Sequence, residues 1–194
     1  MASSLSVRVE HGLHPKHRLM NYHAFFVDRV LKADRVLDIG CGNGALAFDV
    51  AKKAKEVVAI DLDPRNIEKA KRLFLRENIS YRVADATKDL GGEVFDVILL
   101  SNVLEHIEHR VEFLQKIQPL APKILLRVPM IDRDWVTLYK KELGVEWRLD
   151  PTHFTEYTEE TLKNELVGGG WNMSEKIICF GETWAVIVPS HEKQ

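Results

Sequence analysis

The 194-residue chain is 45% hydrophobic and 29% charged, the composition of one ordinary globular domain that can bury a sizeable core. Its formal net charge of −2 gives no electrostatic case for nucleic acid as the main partner. Two cysteines, Cys41 and Cys179, make no disulfide framework, residues 1–10 lack the apolar core of a secretion signal, and no run reaches membrane-spanning length. We therefore expect one domain over 1–194, in the cytoplasm and without a membrane partner.

Helices and strands are predicted to alternate through the first two thirds of the chain. An N-terminal helix is expected over 15–33, because Pro15 suits a first turn and apolar residues follow at helical spacing. Asp63 and Pro64 similarly form an N-cap and first-turn pair for the helix after the second strand. The near-continuous apolar character of the fourth strand indicates burial on both faces, as in a parallel sheet. The five predicted strands are 36–40, 57–60, 80–83, 95–100 and 123–128.

Three more helices and a hairpin complete the predicted elements. After the fourth strand, Leu104 and Ile107 belong to the apolar face of a helix, whereas Glu105 is expected to point outward. Thr158 is a suitable N-cap for the last helix. Such alternation predicts an α/β sheet with helices on both faces. The remaining elements are a helix over about 135–143, within a long insertion at 129–157, and an antiparallel hairpin over 176–189.

The segment VLDIGCGNG (36–44) joins the first strand to the helix that follows it. Its glycines let a ligand approach the backbone and permit φ > 0 in a tight turn. The helix then points its free N–H groups at whatever is bound. Ligands of α/β sheets bind beyond the carboxyl ends of the strands, and polar residues converge there in this chain. These residues are 38–44, Asp61, Asp85, Ser101 and Asn102.

The glycine turn alone does not identify its ligand. Gly40-x-Gly42-x-x-Ala45 satisfies a permissive dinucleotide fingerprint, and Asp61 lies where a ribose-binding acid is expected. An NAD-dependent oxidoreductase is therefore one alternative. Against it stand a helix before the first strand, the extra glycine at Gly44, the closing hairpin and the lack of a Tyr-x-x-x-Lys or other hydride-transfer site. These features favour an S-adenosylmethionine site.

Four segments and the final hairpin resemble the class I S-adenosylmethionine-dependent methyltransferases, most closely the type 11 small-molecule group. The resemblance implies a Rossmann-like, seven-stranded, mostly parallel sheet of order 3-2-1-4-5-7-6, with strand 7 antiparallel and helices on both faces. It also implies S-adenosylmethionine as the cofactor and a small molecule as the methyl acceptor. The four segments are VLDIGCGNG (36–44), VVAIDLDP (57–64), VADATKD (83–89) and FDVILLSNVLEH (95–106).

The resemblance also implies a role for each matching position. Asp38 would orient the amino group of the cofactor, directly or through water. Asp61 would accept hydrogen bonds from both ribose hydroxyls, and Asp85 one from the exocyclic amine of adenine. The glycine turn and the end of the fourth strand would hold the methionine portion, and Leu62 and Ala86 would lie beside the adenine. These further cofactor-binding candidates are Gly40, Cys41, Gly42, Asn43, Gly44, Leu62, Ala86, Ser101 and Asn102.

Structural roles compete with several of these assignments. Asn102-x-x-Glu105 fits a capping box, so both residues could serve only the helix. Asp38 could be a buried acid held by loop amides. Asp61 and Asp85 have no comparable structural explanation in the sequence, so function is favoured for them.

Methylation of a hydroxyl needs a general base near neutral pH, which points first to histidine. His153 is the first candidate, because the family builds its acceptor pocket in the segment after strand five; His106 is the second. The loop at 148–157 resembles segments of glycan and natural-product methyltransferases, which favours a sugar or natural-product hydroxyl. Aromatic residues there either pack the core or contact the acceptor. The substrate and lid candidates are His14, His17, Tyr22, Trp135, Trp147 and Tyr157.

Two other functions stay open, and a homodimer is compatible with the sequence. The segment 103–106 resembles part of the metal-binding run of small-RNA 2′-O-methyltransferases, but Asn102 stands where those proteins have a further glutamate. Losing a carboxylate weakens a hard-cation site, so no metal is expected and nucleic acid is not the expected partner. A non-catalytic, cofactor-binding or scaffolding subunit is the second alternative, and the intact glycine turn with both acids argues against it.

Overall fold

The computed structural model describes residues 19–88 and 90–190, which form a seven-stranded sheet with helices on both faces. The strand order is β3-β2-β1-β4-β5-β7-β6, which confirms the predicted topology. Strands β1 to β5 pair in parallel, and β7 pairs antiparallel with both β5 and β6. The strands are β1 (Arg35–Ile39), β2 (Glu56–Asp61), β3 (Ile79–Val83), β4 (Val97–Ser101), β5 (Ile124–Pro129), β6 (Trp171–Cys179) and β7 (Glu182–Pro189).

The predicted N-terminal helix is interrupted. Leu19 and Met20 are helical, Asn21 breaks the helix with a left-handed φ of 48°, and the next helix ends at Asp28 rather than 33. Residues 15–18 of the predicted helix lie outside the described residues. Asp63 caps its helix as expected, accepting a hydrogen bond from the Arg65 N–H. The helices are α1 (Tyr22–Asp28), α2 (Ala45–Ala51), α3 (Pro64–Leu73), α4 (Arg110–Ile117), α5 (Trp135–Glu142) and α6 (Glu159–Gly168).

The segment after β4 departs most from the prediction. Asn102 takes a left-handed φ of 56°, a 3₁₀ turn follows at Leu104–His106, and α4 begins only at Arg110. Because the predicted single helix is broken in two, its outward face does not extend to Glu105. The prediction of a solvent-facing Glu105 is therefore wrong: its side chain is fully buried.

The buried apolar residues form two clusters, one on each face of the sheet. Leu37, Ile98 and Leu126 pack on one face with residues of α4 and α6. The neighbouring positions Val36 and Leu99 pack on the other, with residues of α1, α2 and α3. This two-sided burial explains the near-continuous apolar run of β4. It leaves the carboxyl edge of the parallel strands as the place where polar side chains gather.

The two ends of the insertion at 129–157 lie side by side next to the end of β5. At its start Met130 bridges to Tyr157, and the Ile131 N–H donates to the Tyr157 carbonyl at 2.8 Å. Helix α5 is capped by Asp134, which accepts from the Thr137 N–H at 2.8 Å. Within the described residues, no helix combines the length and apolar character needed to cross a membrane.

Candidate functional site

The glycine turn lies where β1 ends, and its glycines serve two different purposes. A Cβ at Gly44 (φ +83°) would lie 2.7 Å from the Tyr81 hydroxyl and 2.8 Å from the Ala70 methyl, so this glycine permits close packing under the turn. A Cβ at Gly42 (φ +55°) would meet nothing within 4 Å. Gly42 borders a small cavity, whereas Gly44 lines neither of the cavities at this edge. The predicted contact with a ligand therefore fits Gly42. At Gly44 the structure shows a packing role instead.

This difference gives a paired prediction. Gly44→Ala should destabilise the fold by about 1–3 kcal/mol, because the methyl overpacks a buried contact at positive φ. Gly42→Ala should cost only about 1 kcal/mol of backbone strain but weaken cofactor binding, because its methyl enters the open space of the turn. Urea denaturation and calorimetric titration with S-adenosylmethionine separate the two effects. Equal losses of stability in both variants would contradict the assignment.

Asp61 joins the two loops that border the site. Its carboxylate accepts from the Gly42 N–H at 2.8 Å, the Asp63 N–H at 2.8 Å and the Asn66 side-chain amide at 3.1 Å. The sequence-based view that Asp61 lacks a structural role is thus wrong. Since Asp61 also lines the larger cavity, it holds the turn in shape while presenting a carboxylate to a ligand.

The larger cavity, of about 540 Å³, lies beyond the ends of β1, β2 and β4. Asp85 borders it and accepts from the Thr87 N–H at 3.0 Å and the Thr87 hydroxyl at 2.6 Å, so it too has a structural role. Those hydrogen bonds, followed by an ion pair with Lys88, lower the pKa of Asp85 and keep it ionised. The predicted residues that line this cavity are Gly40, Asp61, Leu62, Asp85, Ala86, Asn102 and His106.

The smaller cavity contains an unpartnered acid. Asp38 is 1% exposed, and its Oδ2 atom has no hydrogen-bond partner among the described residues. Burial, with a smaller contribution from the charge of Asp61, raises the pKa of Asp38 to about 8. A buried carboxyl in this condition costs free energy unless a cation approaches it. No loop amide among the described residues donates to Asp38 Oδ2, so the alternative of a buried acid held by loop amides fails. A cationic group of a ligand would instead neutralise this carboxylate.

Cys41, Asn43 and Ser101 also border the smaller cavity, as predicted for the methionine end. Cys41 is buried, and this burial raises the pKa of its thiol, so the thiol contributes shape rather than a nucleophile. The Asn43 side chain accepts from the Ala45 N–H at 3.2 Å, which stabilises the turn. Ser101 Oγ accepts from Arg127 at 3.3 Å. These residues are brought together as the sequence predicted.

Arg127 is a site residue that the sequence interpretation missed. On β5 it forms a two-point ion pair with Glu182 of β7, at 2.5 and 2.7 Å, with both side chains buried. Its guanidinium carbon lies 3.9 Å from the centre of the Tyr22 ring. An arginine inside the otherwise apolar run ILLRVP was the available signal, since a buried charge requires a partner. Arg127 thereby fixes Tyr22 and Ser101 around the smaller cavity.

Asn102 borders the larger cavity next to Val103 and His106. It does not cap a helix: the 3₁₀ turn has no side-chain cap, so the predicted capping box with Glu105 is wrong. Its Oδ1 atom is buried without a partner among the described residues, and its backbone has positive φ. Strain and an unsatisfied polar atom together are typical of functional positions.

His106 and His153, the two candidate bases, lie side by side with ring centres 4.5 Å apart. His153 is buried, and its Nδ1 lies 2.9 Å from Glu156 Oε1. The Nδ1 of His106 lies 3.0 Å from the Thr152 hydroxyl. Burial and then the neighbouring His153 lower the pKa of His106, which favours its neutral form. His106 thus borders the larger cavity, and the buried His153 lies directly beside it.

Glu156 is the second residue that the sequence interpretation missed. Its buried carboxylate accepts from Arg133 at 2.6 Å and from the Leu149 N–H at 2.5 Å, besides its contact with His153. Three separate parts of the insertion are therefore fixed to one carboxylate. His153 consequently has a defined orientation.

The remaining substrate and lid candidates differ in their placement. Tyr22 borders the smaller cavity, Trp135 is exposed on α5, and Trp147 is partly exposed beneath the Lys141 ammonium. Tyr157 is fully buried in the core with its hydroxyl bonded to Glu165 at 2.9 Å, so the prediction that it contacts an acceptor is wrong. His14 and His17 lie outside the described residues.

Comparisons with known proteins agree with this geometry. Residues 37–121 match a family model described as a methyltransferase domain. A ubiquinone biosynthesis O-methyltransferase of Azorhizobium caulinodans is 31% identical over 162 residues, which is 76% of this chain and 62% of that protein. A protein of the same description from Mesorhizobium japonicum is 38% identical over 120 residues, covering 59% of this chain and 48% of its own length. This chain thus spans about half to three fifths of these relatives.

A solved structure shows the same fold at low sequence identity. Magnesium protoporphyrin IX methyltransferase from Synechocystis PCC 6803, determined with bound SAH, superposes with a TM-score of 0.70 and 19% identity. The match covers 95% of this chain and 85% of that one. The chain fold is therefore shared along nearly its whole length.

Proposed function

We propose that this chain, which belongs to the class I S-adenosylmethionine-dependent methyltransferases, transfers a methyl group to a hydroxyl of a small-molecule acceptor. The observation that supports this most is the buried carboxyl of Asp38, which lacks a hydrogen-bond partner on Oδ2 and borders the glycine turn. Asp61 and Asp85 border the adjoining larger cavity. An amino acid cation, a ribose and an adenine can occupy these three positions together.

The described residues fit S-adenosylmethionine at each end. Asp38 would accept from the amino group of the cofactor, whose positive charge favours ionisation of the buried acid. Asp61 keeps its carboxylate at the cavity surface through the Gly42 amide, where two ribose hydroxyls can donate to it. Leu62, 69% exposed at the rim, would cover the adenine, with Asp85 at its edge. The cofactor supplies an electrophilic methyl group when bound.

The protein's own task is to place an acceptor in line with that methyl group and to exclude water. Asn102, His106 and Val103 border the cavity on the side of the acceptor insertion. The hydroxyl proton has to leave, and in the absence of a metal His106, on the cavity wall, or His153 beside it would accept it. His153 is the better oriented of the two because Glu156 holds its Nδ1.

Oxygen is the proposed accepting atom because the relatives are described as O-methyltransferases. A sugar or natural-product precursor as the acceptor stays a prediction from the resemblance of residues 148–157. The homodimer and the cytoplasmic location likewise stay predictions.

The cheapest test compares melting temperatures with S-adenosylmethionine and with NAD. At a hundredfold excess over Kd, S-adenosylmethionine should stabilise the fold by about 2.7 kcal/mol, whereas NAD should have no effect. Transfer of labelled methyl groups from the cofactor to small-molecule extracts would then identify the acceptor. Stabilisation by NAD alone would overturn the proposal. Binding without transfer to any acceptor would favour the non-catalytic alternative.

A further inference from the structure

Three ligand-type side chains from two distant parts of the sequence meet beside the larger cavity. Glu105 and His106 belong to the 3₁₀ turn after β4, and His153 to the end of the insertion. Each offers one ligand atom, and these atoms all lie within 4.8 Å of one another. A backbone hydrogen bond from the Phe154 N–H to the Glu105 carbonyl, at 2.8 Å, holds the two segments together. The group is therefore a built feature of the fold rather than a chance approach of flexible side chains.

Glu105 is the member that requires an explanation. Its side chain is fully buried, and neither carboxylate oxygen has a hydrogen-bond partner among the described residues. The buried acids Glu156 and Glu182 are instead paired with Arg133 and Arg127. Leaving a carboxyl without a partner in such surroundings is costly. The arrangement indicates a cation that completes the group.

Both histidines are oriented as metal ligands commonly are. The Nδ1 atom of His153 contacts Glu156, and that of His106 contacts the Thr152 hydroxyl, so each ring keeps Nε2 for a ligand. A carboxylate or hydroxyl that accepts a hydrogen bond from the ring nitrogen not used for the metal fixes the ring, and it makes the other nitrogen a stronger ligand. Glu156 is itself held by Arg133 at 2.6 Å, which extends this support by one more layer.

We propose that Glu105, His106 and His153 bind one divalent transition-metal ion. Two imidazoles and one carboxylate suit Zn²⁺, Mn²⁺, Co²⁺ or Fe²⁺ better than Mg²⁺ or Ca²⁺, which prefer oxygen ligands. Three protein ligands leave open positions on the metal. His106 lies on the cavity wall, so the open positions face the space beside the cofactor site. The sequence interpretation expected no metal because Asn102 replaces a carboxylate ligand, and the proposal differs in taking Glu105, His106 and His153 as the ligand set.

The role of this ion in methylation rests on the proposed function. An acceptor hydroxyl bound to the ion would lose its proton to solvent more readily, because the cation stabilises the oxyanion. The oxygen lone pair would then form the new C–O bond, while the C–S bond of the cofactor would break and leave its electrons on sulfur. In this arrangement His106 and His153 hold the metal rather than act as bases.

Titration with Co²⁺ tests the site without any need for the acceptor or cofactor. Chelator-treated protein should bind one Co²⁺ per chain, seen by calorimetry and by visible absorption bands of the ion. Glu105→Gln and His153→Ala should each weaken this binding by about 100-fold or more. His109→Ala is the matched control, because His109 is exposed in the same loop and makes no side-chain cap to α4. Its Co²⁺ affinity should equal that of the unmodified chain.

A stability measurement keeps the test valid if a variant folds poorly. Without metal, Glu105→Gln should melt at or above the temperature of the unmodified chain, because an unpartnered buried acid is removed. Co²⁺ should raise the melting temperature of the unmodified chain but not of Glu105→Gln. Absence of Co²⁺ binding, or binding unchanged by Glu105→Gln, would overturn the metal site. If the metal site fails this test but S-adenosylmethionine still binds, the proposed function stands. If Co²⁺ binds but S-adenosylmethionine does not, the metal site stands and the proposed function fails.

Discussion

Replacing Arg127 by methionine is expected to destabilise the protein by about 3–5 kcal/mol, which is the usual cost of breaking a buried ion pair by removing one partner. The Glu182 carboxylate would remain buried without its arginine partner, although the Trp184 indole N–H still donates to it at 3.0 Å. Tyr22 would also lose the guanidinium beneath its ring. Urea denaturation monitored by circular dichroism measures the effect.

The double variant Arg127→Met/Glu182→Met is the informative control. Removing both charges leaves an apolar contact between β5 and β7, so the double variant should be more stable than Arg127→Met alone. If the single change cost less than about 1 kcal/mol, the pair would contribute no more than an exposed ion pair does. The burial of the Arg127–Glu182 ion pair would then be wrong.

Replacing Asp38 by asparagine should have opposite effects on stability and on cofactor binding. The folded-state pKa of about 8 lies above the ordinary value of 3.8, so the folded protein binds more protons than the unfolded chain between these values. Its free energy of unfolding therefore falls as pH rises through this window and levels off above pH 8. Asp38→Asn should lack this decline and be more stable at pH 8 by about 1–3 kcal/mol.

The same substitution should weaken binding of S-adenosylmethionine by about 1.5–3 kcal/mol, or roughly 10- to 150-fold, because a charge-assisted hydrogen bond is lost. Denaturation at pH 5 and pH 8, with calorimetric titration at pH 8, measures both quantities. Asp63→Asn serves as the control, since asparagine also caps helices and Asp63 lines neither cavity. Unchanged cofactor affinity in Asp38→Asn would remove Asp38 from the site.

The turn and its acids were predictable because their chemistry is local. A strand, closely spaced glycines and a helix place a ligand at one edge, whatever the rest of the chain does. The order of the strands came from the resemblance to a family and not from periodicity. The structural roles of Asp61 and Asp85 escaped notice because their donors, the amides of Gly42 and Thr87, have no signal in the side-chain pattern.

The acceptor side was harder to predict because its contacts join distant segments. Glu105 was assigned to the wrong face since a 3₁₀ turn, held by the Phe154 amide, replaces the first turns of the expected helix. The charge of Arg127 was visible in its strand, but its partner Glu182 is 55 residues away. Periodicity detects which residues are buried within one element, and it carries no information about which elements meet.

The closed ends of the insertion have an evolutionary consequence. Met130 and Tyr157 are bridged at its base, so the residues between them, including α5, form a cassette with joined ends. Changes in the length of such a cassette cost little, because the entropy of closing a loop grows only slowly with its length. Under the proposed function, exchange of the exposed part around Trp135 would change the acceptor without altering the sheet or the cofactor site.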